Sequence, residues 1–159
     1  MERRVYMSNK LKLMNTISQG IYIIGTKMKD TYNFMTAAWI TQVSFSPCKI
    51  VVSVDKSRYS ADLIKKQGIF SVSVLTKGQE DVAKVCGFQS GKDVNKSERV
   101  NYELNKEGLP VIRNCAAQMT CKVIETFDAG DHFLFVAEIE NGEVGQEEPL
   151  VYVSSDYFG

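Results

Sequence analysis

The chain has 159 residues, and its 19 Lys plus Arg are matched by 19 Asp plus Glu. That length suits one domain, residues 1–159, able to bury about two-thirds of its unfolded surface, and the charge balance excludes a general attraction to nucleic acid or an anionic membrane. No apolar run reaches the ~20 residues of a membrane span, and the start MERRVYMSNKLKLMN has no long apolar segment before a small-residue cleavage site, so a cytoplasmic protein is expected.

In chain order, GIYIIGTK (20–27) is a β-rich run ended by the turn-forming MKDTYN, the opening of a hairpin. MTAAWITQVSFSP (35–47) alternates with a period of two and predicts one strand. Its more apolar parity is Met35, Ala37, Trp39, Thr41, Val43 and Phe45. Pro47 has no N–H for a ladder and marks a break before the strand CKIVVSVD (48–55). SRYSADLIKKQG (57–68) predicts a short helix with Ala61, Leu63 and Ile64 inward, Lys65 and Lys66 in its last turn and Gly68 at its end.

IFSVSVLT (69–76) predicts a strand, and QEDVAKVCGF (79–88) a second helix with Val82, Val85 and Cys86 on one side. The polar stretch 89–108 predicts a surface excursion with no core element. Strands return at 116–129, 132–144 and 149–155, the first two joined as a hairpin through the turn D-A-G-D. Many short strands with a few small helices predict a barrel with insertions. Cys48, Cys86, Cys115 and Cys121 form no C-x-x-C pair and have only His132 to help them, so no metal site is expected and the thiols read as small buried apolar groups.

Two places suggest a ligand. A helix opening after D-K-S combines free backbone N–H groups, the hydroxyls of Ser57 and Ser60, and the charges of Lys56 and Arg58, a setting for a phosphate; plain N-capping by Ser57 is the alternative. The small residues Thr36, Ala37 and Ala38 give close access to backbone groups beside the aromatic wall of Trp39, as a flat heteroaromatic ligand requires. The alternative is a half-buried strand with Trp39 in the core.

These residues carry a resemblance. NFMTAAWITQVSFSPCKIVVSVDKSRYSADLIKKQGIFSVSVL resembles the flavin reductase-like family of FMN-binding split barrels, with its N-x-M-T-A-x-W-x-T-Q-V-S-F-x-P strand pair, its R-Y-T/S helix start and its G-x-F-x-V-x-V-L strand. CKVIETFDAGDHFLFVAEIENGEV is similar to the family's A-G-D-H hairpin, and PLVYVSSDYFG to its usual end, so the likeness runs from about Gly20 to Tyr157. The resemblance implies a mainly β fold with short helices: a six-stranded Greek-key split barrel, homodimeric, with one FMN per subunit near the subunit interface.

Carried over by position, it puts Met35, Thr36, Ala37, Ala38 and Trp39 along the isoalloxazine, continued by Ser53, Val54 and Asp55, with Lys56, Ser57, Arg58, Tyr59 and Ser60 around the phosphate. Ser90, Gly91 and Lys92, in a stretch similar to the family's S-G-R-D, become a lid or further phosphate contacts. His132, in the A-G-D-H turn, is either a structural hydrogen-bonding residue or a catalytic one over the flavin, oriented by Asp131. The chemistry implied is hydride acceptance from NAD(P)H onto FMN, with the protein supplying binding and orientation. A flavoredoxin-like electron-transfer protein serving a partner such as rubredoxin, and a non-enzymatic ligand-binding barrel, are the alternative functions.

Overall fold

The computed structural model describes residues 8–88 and 95–153. Within them, nine strands, three α-helices and one 3-10 turn follow in chain order. α1 (Asn9–Met14), which the sequence patterns do not announce, precedes the hairpin of β1 (Tyr22–Lys27) and β2 (Tyr32–Ala37). β3 (Ile40–Phe45) and β4 (Cys48–Asp55) pair next, followed by α2 (Tyr59–Gln67), β5 (Ile69–Val74) and α3 (Glu80–Gly87). A 3-10 turn (Lys96–Glu98), β6 (Tyr102–Leu104) and β7 (Pro110–Ile112) lead to the long hairpin of β8 (Ala117–Asp128) and β9 (His132–Val144).

Seven of the described strands form one antiparallel sheet in the order β2-β1-β5-β8-β9-β4-β3. One apolar cluster holds Ile24, Met35, Val52, Phe70, Cys121 and Phe135, contributed by β1, β2, β4, β5, β8 and β9, with Ala61 and Ile64 of α2. Side chains from so many strands reach a common centre only if the sheet rolls up around it, so the sheet is a barrel. A second cluster, with Ile21, Ile23, Phe34, Ala83, Cys86 and Ile112, packs α3 and β7 on the outer side of β1 and β2. Alternation explains the division: Met35 and Ala37 face the barrel interior, whereas Phe34, on the other parity, faces α3.

Two glycines are needed for shape. Gly68 ends α2 in the left-handed region at φ 69°, where a side chain is strained. At Gly25 of β1 a Cβ would come within 2.3 Å of Ser71 Oγ and 2.4 Å of Pro110 O, so β7 can cross the barrel there only over a glycine.

Several expectations are corrected. The run 35–47 is two strands, because the chain leaves β2 at one edge of the rolled sheet and enters β3 at the other through Ala38–Trp39; the sheet has seven strands where the resemblance implies six. Met35 and Ala37 are accordingly buried, while Trp39, Thr41, Val43 and Phe45 on the same parity are exposed. The excursion 89–108 is not without core elements: Lys96 is buried, and Tyr102 of β6 packs edge-on against Phe34 at 5.2 Å. The segment 149–155 supplies, over its described part, only the bridges Thr76–Pro149 and Gly20–Val151. Cys86 and Cys121 are buried as expected, but Cys48 is exposed and its thiol donates to Phe45 O. No helix among the described residues is long and apolar enough to cross a membrane.

Candidate functional site

The barrel's two edges decide where a site can form. Among the described residues β2 pairs only with β1 and β3 only with β4, so the outer edges of β2 and β3, joined by Ala38–Trp39, have no strand beside them. Unpaired strand edges offer backbone N–H and C=O groups to whatever lies against them. The link is anchored by Ser53 N–H, which donates to Trp39 O at 3.0 Å.

A crevice of about 210 Å³ opens at this split, lined by Met35, Thr36, Ala37, Ala38, Trp39, Ser53, Val54, Asp55, Arg58 and His132. Residues up to 97 positions apart in sequence are thus brought to one place. Ala38 and Trp39 also border two neighbouring clefts. One, of about 430 Å³, is mostly apolar and includes Met14, Ile17, Ile40 and Val51; the other, of about 350 Å³, includes Thr36, Arg58, Ala83, Gly87 and Phe88. The side chains of Met35, Ala37 and Val54 point into the core, so their backbone faces the crevice.

Trp39 is not a core residue. It is 41% exposed, and its indole lies on the imidazole of His132, centroids 4.8 Å apart and planes 30° apart. Asp131 Oδ1 is 2.7 Å from His132 Nδ1. The contact fixes the orientation of the imidazole ring through Nδ1, away from Nε2.

The helix-opening residues divide. Arg58 is the N-cap of α2, with extended backbone and no side-chain capping bond, so the first-turn N–H groups of the helix are not taken up by a capping side chain. Its guanidinium donates from Nη1 and Nη2 to Gly87 O, both at 3.3 Å. Ser57 does not cap the helix: its N–H and hydroxyl both donate to Asp55 Oδ1, at 2.8 and 2.7 Å, and these bonds hold the Asp55 carboxyl below its usual range. Lys56 reaches across to Asp128 at 2.8 Å and lies 5.0 Å from the Phe133 ring centre. Ser60 is buried, its Oγ accepting from Asn33 Nδ2 at 2.7 Å, and neither it, Tyr59, Lys56 nor Ser57 lines the crevice. Ser90, Gly91 and Lys92 lie outside the described residues.

Sequence reasoning missed Asn33, Gly87 and Lys96. Thr36 Oγ1 donates to Ala83 O at 2.6 Å, and a Cβ on Gly87 would meet Thr36 at 3.3 Å, so the end of α3 is set against β2 beside the crevice. No local pattern signals this, since 47 positions separate Thr36 from Ala83.

These features fit a flat heteroaromatic ring with an anionic tail. Small residues and open strand edges border the slot, Trp39 and His132 supply aromatic faces, and a cation with an uncapped helix start stands at one end.

The chain matches the family model "Flavin reductase like domain" over residues 14–159. It is 31% identical over 144 residues to the high molecular weight rubredoxin of Moorella thermoacetica, covering 89% of this chain and 63% of that protein. To the ferric-chelate reductase (NAD(P)H) of Archaeoglobus fulgidus it is 30% identical over 145 residues, covering 89% of this chain and 84% of that one. The solved structure of the flavin reductase PheA2 in its native state superposes with a TM-score of 0.81 at 28% identity, covering 93% of this chain and 95% of that one. The chain spans 63%, 62% and 25% of the length of three curated relatives it matches.

Proposed function

Because this chain belongs to the flavin reductase-like family, we propose that it is an FMN-binding oxidoreductase, a homodimer that takes a hydride from NAD(P)H and passes electrons to a flavin, a protein or a small acceptor. The observation that carries the reading is the crevice at the barrel's split, where residues 35–39, 53–55, Arg58 and His132 meet. When bound, FMN supplies hydride acceptance and the release of electrons singly or in pairs. The chain's part is to bind, orient and tune. Backbone groups of Thr36 to Trp39 and of Ser53 to Asp55 meet the ring's polar edge. Donors held in place on that strand favour the extra negative charge of a reduced ring. Arg58 and the start of α2 hold the phosphate, with Lys56, Ser57, Tyr59 and Ser60 shaping the turn that presents them. Ser90 and Lys92 are proposed as further phosphate contacts or a lid. His132, held by Asp131 and covered by Trp39, positions the nicotinamide or the acceptor over the site.

A second reading is favoured by the likeness to the Moorella high molecular weight rubredoxin: a flavoredoxin-like electron carrier that delivers electrons to a partner such as rubredoxin. The visible spectrum of the purified protein, then anaerobic mixing with NADH and with NADPH, separates the cases. Rapid bleaching of the flavin band by a nicotinamide supports the reductase; slow bleaching that a redox protein accelerates supports the carrier. A colourless protein that takes up no FMN overturns both.

Arg58→Ala is expected to weaken FMN binding about ten- to hundredfold, the range of a charge-assisted contact of ~1.5–3 kcal/mol. Riboflavin, which has no phosphate, should bind the variant as it binds the parent. Fluorescence titration of both ligands checks this, and an equal loss for the two would remove Arg58 from the phosphate site.

A further inference from the structure

Lys96 has no part in the site described so far, yet it is the described chain's one buried cation. It is 3% exposed, and its Nζ donates to two carbonyls, Cys86 O at 2.7 Å and Phe34 O at 2.9 Å. Among the described residues no carboxylate pairs with it. Two neutral carbonyls do not by themselves replace the solvation a charge loses on burial. Where this lysine lies is informative. Cys86 and Gly87 are the last two residues of α3, and the Gly87 carbonyl accepts from Arg58. Two cations therefore sit on successive carbonyls of one helix end. A helix C-terminus carries only about half a negative charge, less than the two cations set on it, and the Asp55 carboxylate, which interacts with Arg58, stands on the crevice side. Arg58 opens from this corner onto the cleft it shares with Thr36, Ala83 and Gly87.

We propose that Lys96 is a positioning residue for the anionic end of the ligand: it fixes the end of α3 against β2, thereby setting Gly87 O and Arg58, and it supplies buried positive charge that an anion at Arg58 neutralises without touching it. This rests on the FMN reading above and goes beyond it by assigning a phosphate-tuning role to a residue outside the crevice. The electrostatics agree. The Lys96 pKa is lowered to about 8, chiefly by burial, with Cys86 acting in the opposite direction and the charge of Arg58 acting in the same one. Cys86, pushed up to about 12 by burial, stays a thiol in the range that matters. Among the described residues Arg58 is then the charged group that acts on Lys96; Glu98 in its own turn and Glu80 and Asp81 in the first turn of α3 are the acidic residues of the helices beside it, and Asp55 interacts with Arg58.

The linkage has a definite sign. An anion favours the protonated lysine, so binding raises the Lys96 pKa above its free value of about 8 and takes up protons in that range. Affinity is full below pH 8 and falls as pH rises through that value. The fall is about tenfold for each pKa unit of coupling. Above pH 7 a phosphate monoester already has most of its second charge, so the ligand adds little pH dependence of its own.

Titration calorimetry of the whole chain with FMN and with riboflavin, from pH 7 to 9.5 in buffers of different ionisation enthalpy, tests the proposal. Expected are proton uptake near pH 8 with FMN and none with riboflavin, together with FMN affinity that declines across the range. Lys96→Arg keeps the charge and removes the titration, so it should bind FMN tightly with no decline and no proton uptake. Lys96→Met should bind FMN weakly at every pH and riboflavin as the parent does; should it fail to fold, Lys96→Arg and the parent's proton uptake still decide. FMN binding without proton uptake, or a Lys96→Arg profile that declines like the parent's, overturns the inference and leaves the function standing. No FMN binding by the parent at any pH overturns both.

Discussion

Replacing Ala38 by Phe is expected to give a folded barrel that has lost FMN binding, with affinity at least a hundredfold lower. Ala38 borders all three clefts that meet at the split, the 210, 350 and 430 Å³ spaces, so a ring on its Cβ projects into the place where they join. It belongs to neither apolar cluster, and the change should therefore leave stability close to that of the parent, within the ~0.5 kcal/mol usual for positions outside the core. The check is paired: circular dichroism and thermal melting of the flavin-free protein, then FMN titration by fluorescence. Full-strength FMN binding by a folded Ala38→Phe protein would mean that the ring is not held at the split of the barrel.

Phe135→Ala should produce the opposite pattern, a loss of stability of about 3–5 kcal/mol from the transfer term and the cavity left behind. Phe135 is fully buried in β9, in the cluster that joins the strands, with the Phe133 ring 6.1 Å away. The surrounding side chains come from strands locked by ladders on both sides, so collapse into the space is limited. Against a total stability of ~5–15 kcal/mol, the variant stands near the edge of folding at physiological temperature. Urea unfolding of the flavin-free protein measures it, and a change under ~1 kcal/mol would mean that the barrel interior is not organised around this residue. FMN present in excess should recover part of the loss, since a ligand that binds only the folded state stabilises it by mass action.

What the sequence by itself determined is what depends on near neighbours along the chain. The period of two in 48–55 and 69–76, the helix signal in 57–68 with its terminal Gly68, and the D-A-G-D turn between two long strands are local, and each corresponds to an element of the structure. The motif residues 35–39, 53–55, Arg58 and His132 were also legible, through the family likeness of the stretches that contain them. Tertiary structure alone decided what those residues do to one another. The run 35–47 alternates without interruption, and nothing in its pattern says that it must break at Ala38; the break exists because a rolled sheet has two edges and the chain steps from one to the other there. Ser57 and Ser60 were equivalent hydroxyls on the page, yet one turns back to Asp55 and the other goes inward to Asn33. Lys96 belongs to a polar stretch with no periodicity and becomes a buried cation only because α3 and β2 bring Cys86 O and Phe34 O to it from 10 and 62 positions away. Periodicity reports which face of an element is apolar, a property of the chain over a few residues. The partners of a hydroxyl, an ammonium group or a strand edge are set by contacts between distant segments, and only folding brings those together.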